Sequence, residues 1–265
     1  MSIARIGKHN PVLDITNLLG EWVNVNCRTD FIYDLRVYFE DNQLKLKILS
    51  SNPEQDKESS ILIARAFSTD QSLQASGFYV YQENRGLAIA ANEKHGVLVI
   101  QSYRKSATGD ARANRLTREF YCRKSKVEPV IKIQDVRVTF GVHRADQNSH
   151  LLSNFESLLG DWRNSHFDTE WTNAFSIRKT DSGWMIQMSS CNDAYTWPAT
   201  PLTPYFFDQE ELGFIAHSCS ENLDSLFSAY SNKGLIVMTA FHTVRQINQT
   251  NKILCREFYR AIKAQ

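Results

Sequence analysis

The sequence lacks any concentration of charge of one sign. Its net charge is +1 at pH 7, from 30 Lys and Arg against 29 Asp and Glu. Binding to nucleic acid through a basic surface needs clustered Lys and Arg that neutralise phosphates, so no nucleic-acid partner is expected. The richest basic stretch, residues 112–126, also contains Glu119, and we interpret it as a solvated strand end.

Long apolar runs and paired cysteines are also missing. No run approaches the roughly 18 apolar residues of a membrane-spanning helix, and residues 1–11 lack the apolar core of a signal peptide. The cysteine count is odd, and no two cysteines form a CxxC motif, so neither a zinc site nor a disulfide framework is indicated. We therefore expect reduced thiols, a cytoplasmic location, no membrane span and no bound metal. The cysteines are Cys27, Cys122, Cys191, Cys219 and Cys255.

The common catalytic signatures do not occur either. The chain contains no Gly-x-Ser-x-Gly motif, no Walker loop and no dinucleotide-binding fingerprint. This argues against the commonest hydrolase, nucleotide-binding and nicotinamide-dependent classes, and no cofactor is expected.

What the sequence does contain is a repeated frame. Leu18–Asn24, LLGEWVN, returns as Leu158–Asn164, LLGDWRN. About a hundred residues after each copy stands the same tetrapeptide, REFY, at Arg118–Tyr121 and at Arg256–Tyr259. The offset between the copies drifts only from 140 to 138 residues, which indicates a duplicated structure.

The repeat divides the chain into two predicted domains, residues 1–125 and 145–265. The connecting segment, residues 126–144, contains an alternating stretch that could add a strand. In each domain, short alternating segments separated by turn-length gaps predict about eight strands, as in an antiparallel barrel or sandwich. The exception is Cys191–Asp208, where three prolines predict a stiff loop. The strands predicted in the first domain cover residues 22–28, 31–39, 44–48, 61–67, 77–82, 86–91, 96–104 and 115–122.

The opening Gly-x-Trp with a distal Arg resembles the calycin superfamily, which includes lipocalins and avidins. The resemblance implies an all-β fold of two tandem antiparallel eight-stranded barrels, in which the Arg of the last strand lies across the Trp of the first. The pairs would be Trp22 with Arg118 and Trp162 with Arg256. The Asn that follows each Trp resembles the residue that reaches the ligand in avidin, which makes Asn24 and Asn164 candidate ligand-binding residues.

Candidates for acid–base chemistry follow the second Trp. If Trp162 points inward, the strand period places Asn164, His166 and Asp168 on the same side. The carboxylate could then orient the imidazole or raise its pKa. The alternative is that the strand has ended by residue 166 and both side chains meet water. His242 is a third candidate, because it ends an apolar inward row and could orient a ligand or lie at a barrel rim.

Several other polar or aromatic residues have two interpretations. His217 could line a cavity or lie in the core or rim. Tyr195 and Trp197, in the proline-rich stretch, could cover a barrel mouth and bind an apolar ligand, or pack between domains. Glu119 and Glu257 are predicted to point outward into solvent. The histidines lack the short ligand pairs of zinc motifs.

An eight-stranded barrel is just wide enough to hold side chains or one small ligand. We therefore expect a small apolar molecule as the partner. The resemblance extends to two-barrel enzymes of secondary metabolism, so the leading hypothesis is a cofactor-free cyclase or isomerase of a hydrophobic metabolite. Alternatives are a carrier or sensor without chemistry, and an interaction protein with both barrels filled. No particular oligomeric state is indicated.

Overall fold

The computed structural model describes most of the chain as β-strands. The first half contains β1 (Gly20–Asn24), β2 (Asp34–Glu40), β3 (Gln43–Leu49), β4 (Ile61–Phe67), β5 (Gly77–Gln82), β6 (Leu87–Lys94), β7 (Val97–Arg104) and β8 (Arg115–Arg123). The second half contains β9 (Gly160–Asn164), β10 (Thr172–Thr180), β11 (Gly183–Ser190), β12 (Thr200–Phe207), β13 (Glu211–Cys219), β14 (Leu223–Asn232), β15 (Leu235–Gln246) and β16 (Gln249–Ala261). Short 3-10 helices cover Glu83–Arg85, Ala111–Ala113 and Glu156–Leu158. The described residues are 13–26, 29, 32–49, 61–69, 73–124, 155–166, 169, 171–191, 196–207, 211–246 and 249–262.

The first eight strands form a closed antiparallel barrel. Each strand pairs with the next in sequence, and β1 also pairs with β8, with Trp22 opposite Arg123. The predicted all-β class and the eight-stranded antiparallel barrel are therefore confirmed. All eight strands predicted from alternation in this half are present, with ends shifted by a few residues.

Strands of the second half pair in the same order. The antiparallel pairs run from β9–β10 to β15–β16, and they include β12–β13 and β16–β9. Two parallel bridges between described residues join the two halves, Phe206 of β12 with Arg115 of β8 and Ser68 with Ile253 of β16. The predicted extra strand in residues 126–144 lies outside the described residues.

Apolar side chains form three cores, because each strand presents alternate residues to opposite faces. The first core lies within the first half and includes Trp22, Leu46, Phe78, Ile89 and Tyr121. The second core lies within the second half and is more aromatic, with Phe155, Trp162, Trp171, Phe175, Trp197, Phe206, Phe214, Phe227 and Tyr259. The third, which we call the seam core, joins the halves through Phe67, Tyr79, Ala88, Ala90, Tyr103, Leu116, Tyr205, Ile215, Leu226, Tyr230, Val237, Phe241 and Leu254.

The prediction of a loop throughout Cys191–Asp208 is wrong, because Thr200–Phe207 is strand β12. Pro201 and Pro204 lie within it. β12 pairs with β11 at only two positions, so much of that edge makes no ladder bonds, and proline is tolerated at such edges. Prolines are found both in loops and in strands with an unpaired edge, and the sequence does not show which neighbours a strand has.

Among the residues that the structure describes, no helix is both long and apolar enough to cross a membrane.

Candidate functional site

The end of the first barrel is closed by Trp22 and an arginine. The indole Nε1 of the buried Trp22 donates to Leu18 O at 3.0 Å. The guanidinium of Arg123 lies 4.6 Å from the indole ring and donates to the carbonyl oxygens of Leu19 and Asn17, each at 2.5 Å. The predicted pairing of Trp22 with Arg118 is therefore wrong, and Arg123 takes that place.

The prediction was wrong about the phase of the closing strand, β8, that is, about which of its residues face the barrel interior. Tyr121 is fully buried and Phe120 is 43% exposed, so Arg118 points outward with Phe120 and not toward Trp22. Arg118 instead lies over the ring of Tyr230 in the seam core, 5.2 Å from its centroid. Because side chains alternate, a phase error of one residue exchanges the two faces of a strand.

The sequence pattern predicted that Glu119 and Glu257 point outward, and that prediction is also wrong. The Tyr121 hydroxyl lies 3.2 Å from Glu119 Oε2, and the Tyr259 hydroxyl lies 2.8 Å from Glu257 Oε2. Thr169 also donates its hydroxyl to Glu257. Both carboxylates are half-buried hydrogen-bond acceptors on the inward side of their strands.

The second half repeats the tryptophan without the arginine. Trp162 Nε1 donates to Leu158 O at 2.9 Å, as in the first half. The residue opposite Trp162 on β16 is Ala261. Arg256, predicted to cover Trp162, instead lies near Phe258 and near the hydroxyl of Tyr230, at 5.7 Å and 3.4 Å. That predicted pairing is also wrong, for the same reason of phase.

Asn24 and Asn164 are buried, and the structure uses their amides in the same way. Asn24 Nδ2 donates to Ile32 O at 3.0 Å, and Asn164 Nδ2 donates to Thr172 O at 2.9 Å. The Oδ1 atoms accept from the backbone N–H of the residue two positions later. Each amide thus spans the loop after the first strand of its half, and its predicted contact with a ligand stays a prediction.

The proposed pairing of His166 with Asp168 stays a prediction, because Asp168 lies outside the described residues. β9 ends at Asn164, and the side chain of His166 is exposed. This matches the alternative interpretation, in which the strand has ended and the imidazole meets water. Asp168 and Tyr195 lie outside the described residues.

His242 lies at the centre of an aromatic group on the inward face of β15. It is fully buried, and its strand neighbours on that face are Ala240 and Val244 of the second core. Its ring stacks on Trp171, with centroids 4.5 Å apart and planes inclined by 11°. Trp197 and Phe227 contact the ring at centroid distances of 5.7 Å and 5.8 Å. The structure therefore brings together two of the predicted residues, Trp197 and His242.

One polar side chain faces this ring from the neighbouring strand. Ser225 is the residue directly opposite His242 in the β14–β15 pair, and it is fully buried. Its Oγ lies 2.9 Å from His242 Nδ1 and accepts a hydrogen bond from Trp197 Nε1 at 2.9 Å. Gln187 donates to the carbonyl of Trp197 at 2.8 Å, which holds that residue in place before β12.

Burial determines the charge of His242. Desolvation lowers the pKa of its imidazole to about 3, so the ring is neutral at physiological pH. Its Nε2 is buried and has no hydrogen-bond partner among the described residues. A buried polar atom without a partner costs roughly 1–3 kcal/mol, which makes this atom the strongest indication of a binding site in the second half. We call His242, Ser225, Trp171, Trp197 and Phe227 the His242 cluster.

The matching position of the first half carries different residues. Leu87 stands opposite Arg104 in the β6–β7 pair, as Ser225 stands opposite His242. Arg104 is exposed, and partial burial lowers its pKa. The His242 cluster is thus a property of the second half alone.

His217 lies elsewhere, at the edge of the seam. Its Nε2 lies 2.8 Å from the carboxylate of the buried Asp224, and its ring lies 5.1 Å from that of Tyr81. Arg65 and Arg245 approach the other oxygen of Asp224 at 3.3 Å and 3.6 Å. The hydrogen bond with His217, and then the neighbouring positive charges, lower the pKa of Asp224. His217 therefore lies at the exposed edge of the seam and belongs to a polar group between the halves.

Sequence reasoning missed Ser225 and Trp171. The alternating row Leu223, Ser225, Phe227, Ala229 does place Ser225 on an inward face. This alternation is the available sequence signal, but it does not show that Ser225 stands opposite His242. Trp171 precedes β10 and had no pattern to place it.

Within the described ranges, no group of three or more His, Cys, Asp or Glu side chains is arranged to hold a metal ion. Comparisons with protein-family models, curated proteins and solved structures found no match for this chain. The function proposed below therefore rests on the chain's own geometry.

Proposed function

We propose that this protein binds a small, largely apolar molecule at the His242 cluster. The observation that carries the proposal is the buried Nε2 of His242, which has no partner among the described residues. Ligand sites of this kind combine apolar and aromatic walls with a few polar atoms that orient the ligand. The cluster supplies both elements.

The aromatic walls favour an apolar ligand body. Trp171 is in face-to-face contact with the imidazole, and Trp197 and Phe227 also contact the ring. Aromatic side chains bury large areas and bind flat or branched apolar groups without requiring polar partners. A ligand that hydrogen-bonds to Nε2 would remove the cost of the unpartnered atom, and this gain would add to the apolar burial.

We further propose that the two halves are tandem calycin-like barrels. The proposal is supported by the same order of strand pairs in both halves and by the two buried tryptophans that donate to the carbonyl four residues earlier. Arg123 stacked on Trp22 matches the arginine that the resemblance implies. The cytoplasmic location, expected from the odd number of cysteines and the lack of a CxxC motif, stays part of this proposal.

Binding can be tested with 6-propionyl-2-(dimethylamino)naphthalene, a neutral apolar probe that carries one carbonyl oxygen and whose emission shifts to the blue in apolar surroundings. We expect saturable binding to the intact chain and weaker binding to His242→Phe, which keeps a ring but removes the polar atom. His217→Gln, at the seam, is the matched control and should bind as the intact chain does. Absence of saturable binding, or an equal loss in both variants, would contradict the proposal.

A cofactor-free cyclase or isomerase is the second candidate. The observation that favours it is a neutral imidazole in an apolar setting, because a fixed donor there can polarise a carbonyl group more strongly than in water. With a pKa of about 3, the same ring is a poor general base at neutral pH, so polarisation is the role that fits.

Polarisation can be measured separately from binding. The infrared carbonyl stretch of bound acetophenone should move to lower frequency in the intact chain and less so in Ser225→Ala, in which the imidazole loses its orienting partner. An unshifted band in the intact chain would leave binding without chemistry as the function.

A further inference from the structure

We propose that the group bound by His242 is an uncharged hydrogen-bond acceptor, because Trp197 and Ser225 together keep the imidazole proton on Nε2. The inference rests on the proposed function and specifies the chemical class of its ligand. It also makes Ser225 a positioning residue, which acts on the ligand only through the histidine.

We call the hydrogen-bonded series Trp197, Ser225, His242 the relay. It begins at an atom that can act only as a donor. An indole Nε1 can donate but cannot accept, so in the 2.9 Å contact Trp197 is the donor and Ser225 Oγ the acceptor. The remaining neighbour of Ser225 Oγ in the described structure is His242 Nδ1, also at 2.9 Å. Because Ser225 is fully buried, its hydroxyl hydrogen is satisfied only if it is donated to Nδ1.

The tautomer of His242 follows from this direction. An Nδ1 that accepts a hydrogen bond carries no hydrogen, and the buried ring is neutral at physiological pH. The single imidazole proton is then on Nε2, which becomes a donor. The unpartnered atom of the His242 cluster is therefore an N–H group that needs an acceptor.

The surroundings restrict what that acceptor can be. Among the described residues, the rings in contact with His242 are those of Trp171, Trp197 and Phe227, and its hydrogen-bond partner is Ser225. None of these side chains carries a positive charge that could neutralise an anion. An ionised carboxylate loses its hydration on entry and would be disfavoured, whereas a ketone, ester or ether oxygen loses much less. The site is thus suited to neutral oxygen acceptors on an apolar body.

The tautomer can be measured without any ligand. In chain labelled with 15N-histidine at neutral pH, two-bond 1H–15N correlations distinguish a ring protonated at Nε2 from one protonated at Nδ1. We expect the Nε2–H pattern for His242. An Nδ1–H pattern or a doubly protonated ring would overturn the inference, whatever the protein binds.

A variant tests whether Ser225 sets the tautomer. Ser225→Ala removes the donor to Nδ1, so the Nδ1–H population of His242 should rise. Ser225→Thr keeps the hydroxyl and should retain the Nε2–H pattern. If Ser225→Ala leaves the pattern unchanged, the relay is wrong, and if that variant does not fold, the spectrum of the intact chain decides.

The ligand class is tested with three probes of one shape, namely ethylbenzene, acetophenone and benzoate. Acetophenone should bind roughly fivefold more tightly than ethylbenzene, the gain expected from one hydrogen bond, and benzoate should bind least. Ser225→Ala should reduce the preference for acetophenone over ethylbenzene. Equal affinities in the intact chain, or a preference for benzoate, would overturn the assigned class.

The two proposals fail in different ways. If neither the three probes nor the naphthalene probe binds while His242 shows the Nε2–H pattern, the proposed function fails and the relay stands. If the probes bind but the ring is protonated at Nδ1, the proposed function stands and the relay fails.

Discussion

The two halves of the chain share a frame and differ in their interiors. In both, a buried tryptophan donates to the carbonyl four residues earlier, and an asparagine two positions later spans the first loop. The first core is mainly aliphatic around Trp22 and Phe78, whereas the second core contains the buried His242 within a group of aromatic rings. These hydrogen bonds of the tryptophans and asparagines have equivalent partners in both halves, so they belong to the shared architecture. The interior of the second half is where a distinct function can reside.

The halves also differ around the tryptophan of their first strand. Arg123 lies over Trp22, while Ala261 stands opposite Trp162. A Cβ on Gly20 would lie 2.8 Å from the guanidinium of Arg123, whereas a Cβ on Gly160 would meet nothing within 4 Å. Both glycines have a positive φ, +131° and +128°, so the backbone is the same and the guanidinium is what the second half lacks.

The largest expected effect is on the two tryptophans of the frame. Trp22→Ala and Trp162→Ala should each lower the free energy of unfolding by about 3–5 kcal/mol, because each removes a large buried ring. Trp22→Ala should cost up to about 1 kcal/mol more, since Arg123 also loses its aromatic partner. Urea titrations followed by circular dichroism measure both. Trp184→Ala, at a half-buried position, is the control and should cost less. Equal losses for Trp22 and Trp162 would show that the arginine adds nothing.

Acid should destabilise the second half through His242. The pKa of its imidazole falls from 6.5, the ordinary value, to about 3 in the folded chain, so between these pH values the unfolded chain binds the extra proton. Stability is therefore lost as pH falls from about 6.5 toward 3, by about 1.4 kcal/mol per pH unit. The first half carries Arg104 at the matching position, so no histidine titrates there between pH 6.5 and 3.

Unfolding free energies measured at several pH values check this expectation. His242→Phe should flatten the pH dependence over that window, while His217→Gln should leave the His242 contribution in place. A variant His242→Phe with the same slope as the intact chain would contradict the burial of a neutral ring.

A third comparison uses the asparagines, for which the halves should behave alike. Asn24→Ala and Asn164→Ala each remove one hydrogen bond to a carbonyl that keeps a tyrosine hydroxyl as partner, and one bond from a backbone N–H, so each should cost about 1–2 kcal/mol. Asn232→Ala, at the exposed end of β14, should change stability by less than about 0.5 kcal/mol. Stability is read from urea midpoints. A loss of stability in only one of the two asparagine variants would show that the shared hydrogen bonds do not stabilise both halves equally.

The smallest effect would come from restoring the missing arginine. Ala261→Arg places a guanidinium opposite Trp162, where Gly160 leaves open space, and should stabilise the chain by about 0.5–1 kcal/mol. Ala261→Gln adds length without charge and should not. The thermal midpoint measures the difference. Equal midpoints for the two variants would mean that Trp162 does not accept the cation.

Most of the strands could be predicted from the sequence because alternation is a local property. The predicted segments 61–67 and 77–82 coincide with β4 and β5. The closing strand was placed correctly but its phase was not. Arg-Glu-Phe-Tyr has a large side chain on each face, so alternation alone cannot tell which ring, Phe120 or Tyr121, is inside. That one ambiguity produced the wrong arginine pairs and the wrong orientation of Glu119.

The candidate site was predicted only in part. His242 was found because it ends the apolar row Ile236, Met238, Ala240, which is a local pattern. The proximity of Trp197 could not be read from the sequence, because it depends on how the chain before β12 returns to the second core. Ser225 was missed for a similar reason, since only the register of β14 with β15 places it opposite His242.

The duplication, the all-β class and the inward position of both tryptophans could be predicted from the amino-acid sequence, because repeats and alternation are local patterns of the chain. Only the folded chain shows which arginine meets Trp22, where His166 and His217 lie, and that the buried Nε2 of His242 is among the polar atoms without a partner in the described residues. These outcomes depend on strand register and on contacts between distant segments. A shift of one residue in register reverses every side chain of a strand, and no local pattern specifies that shift.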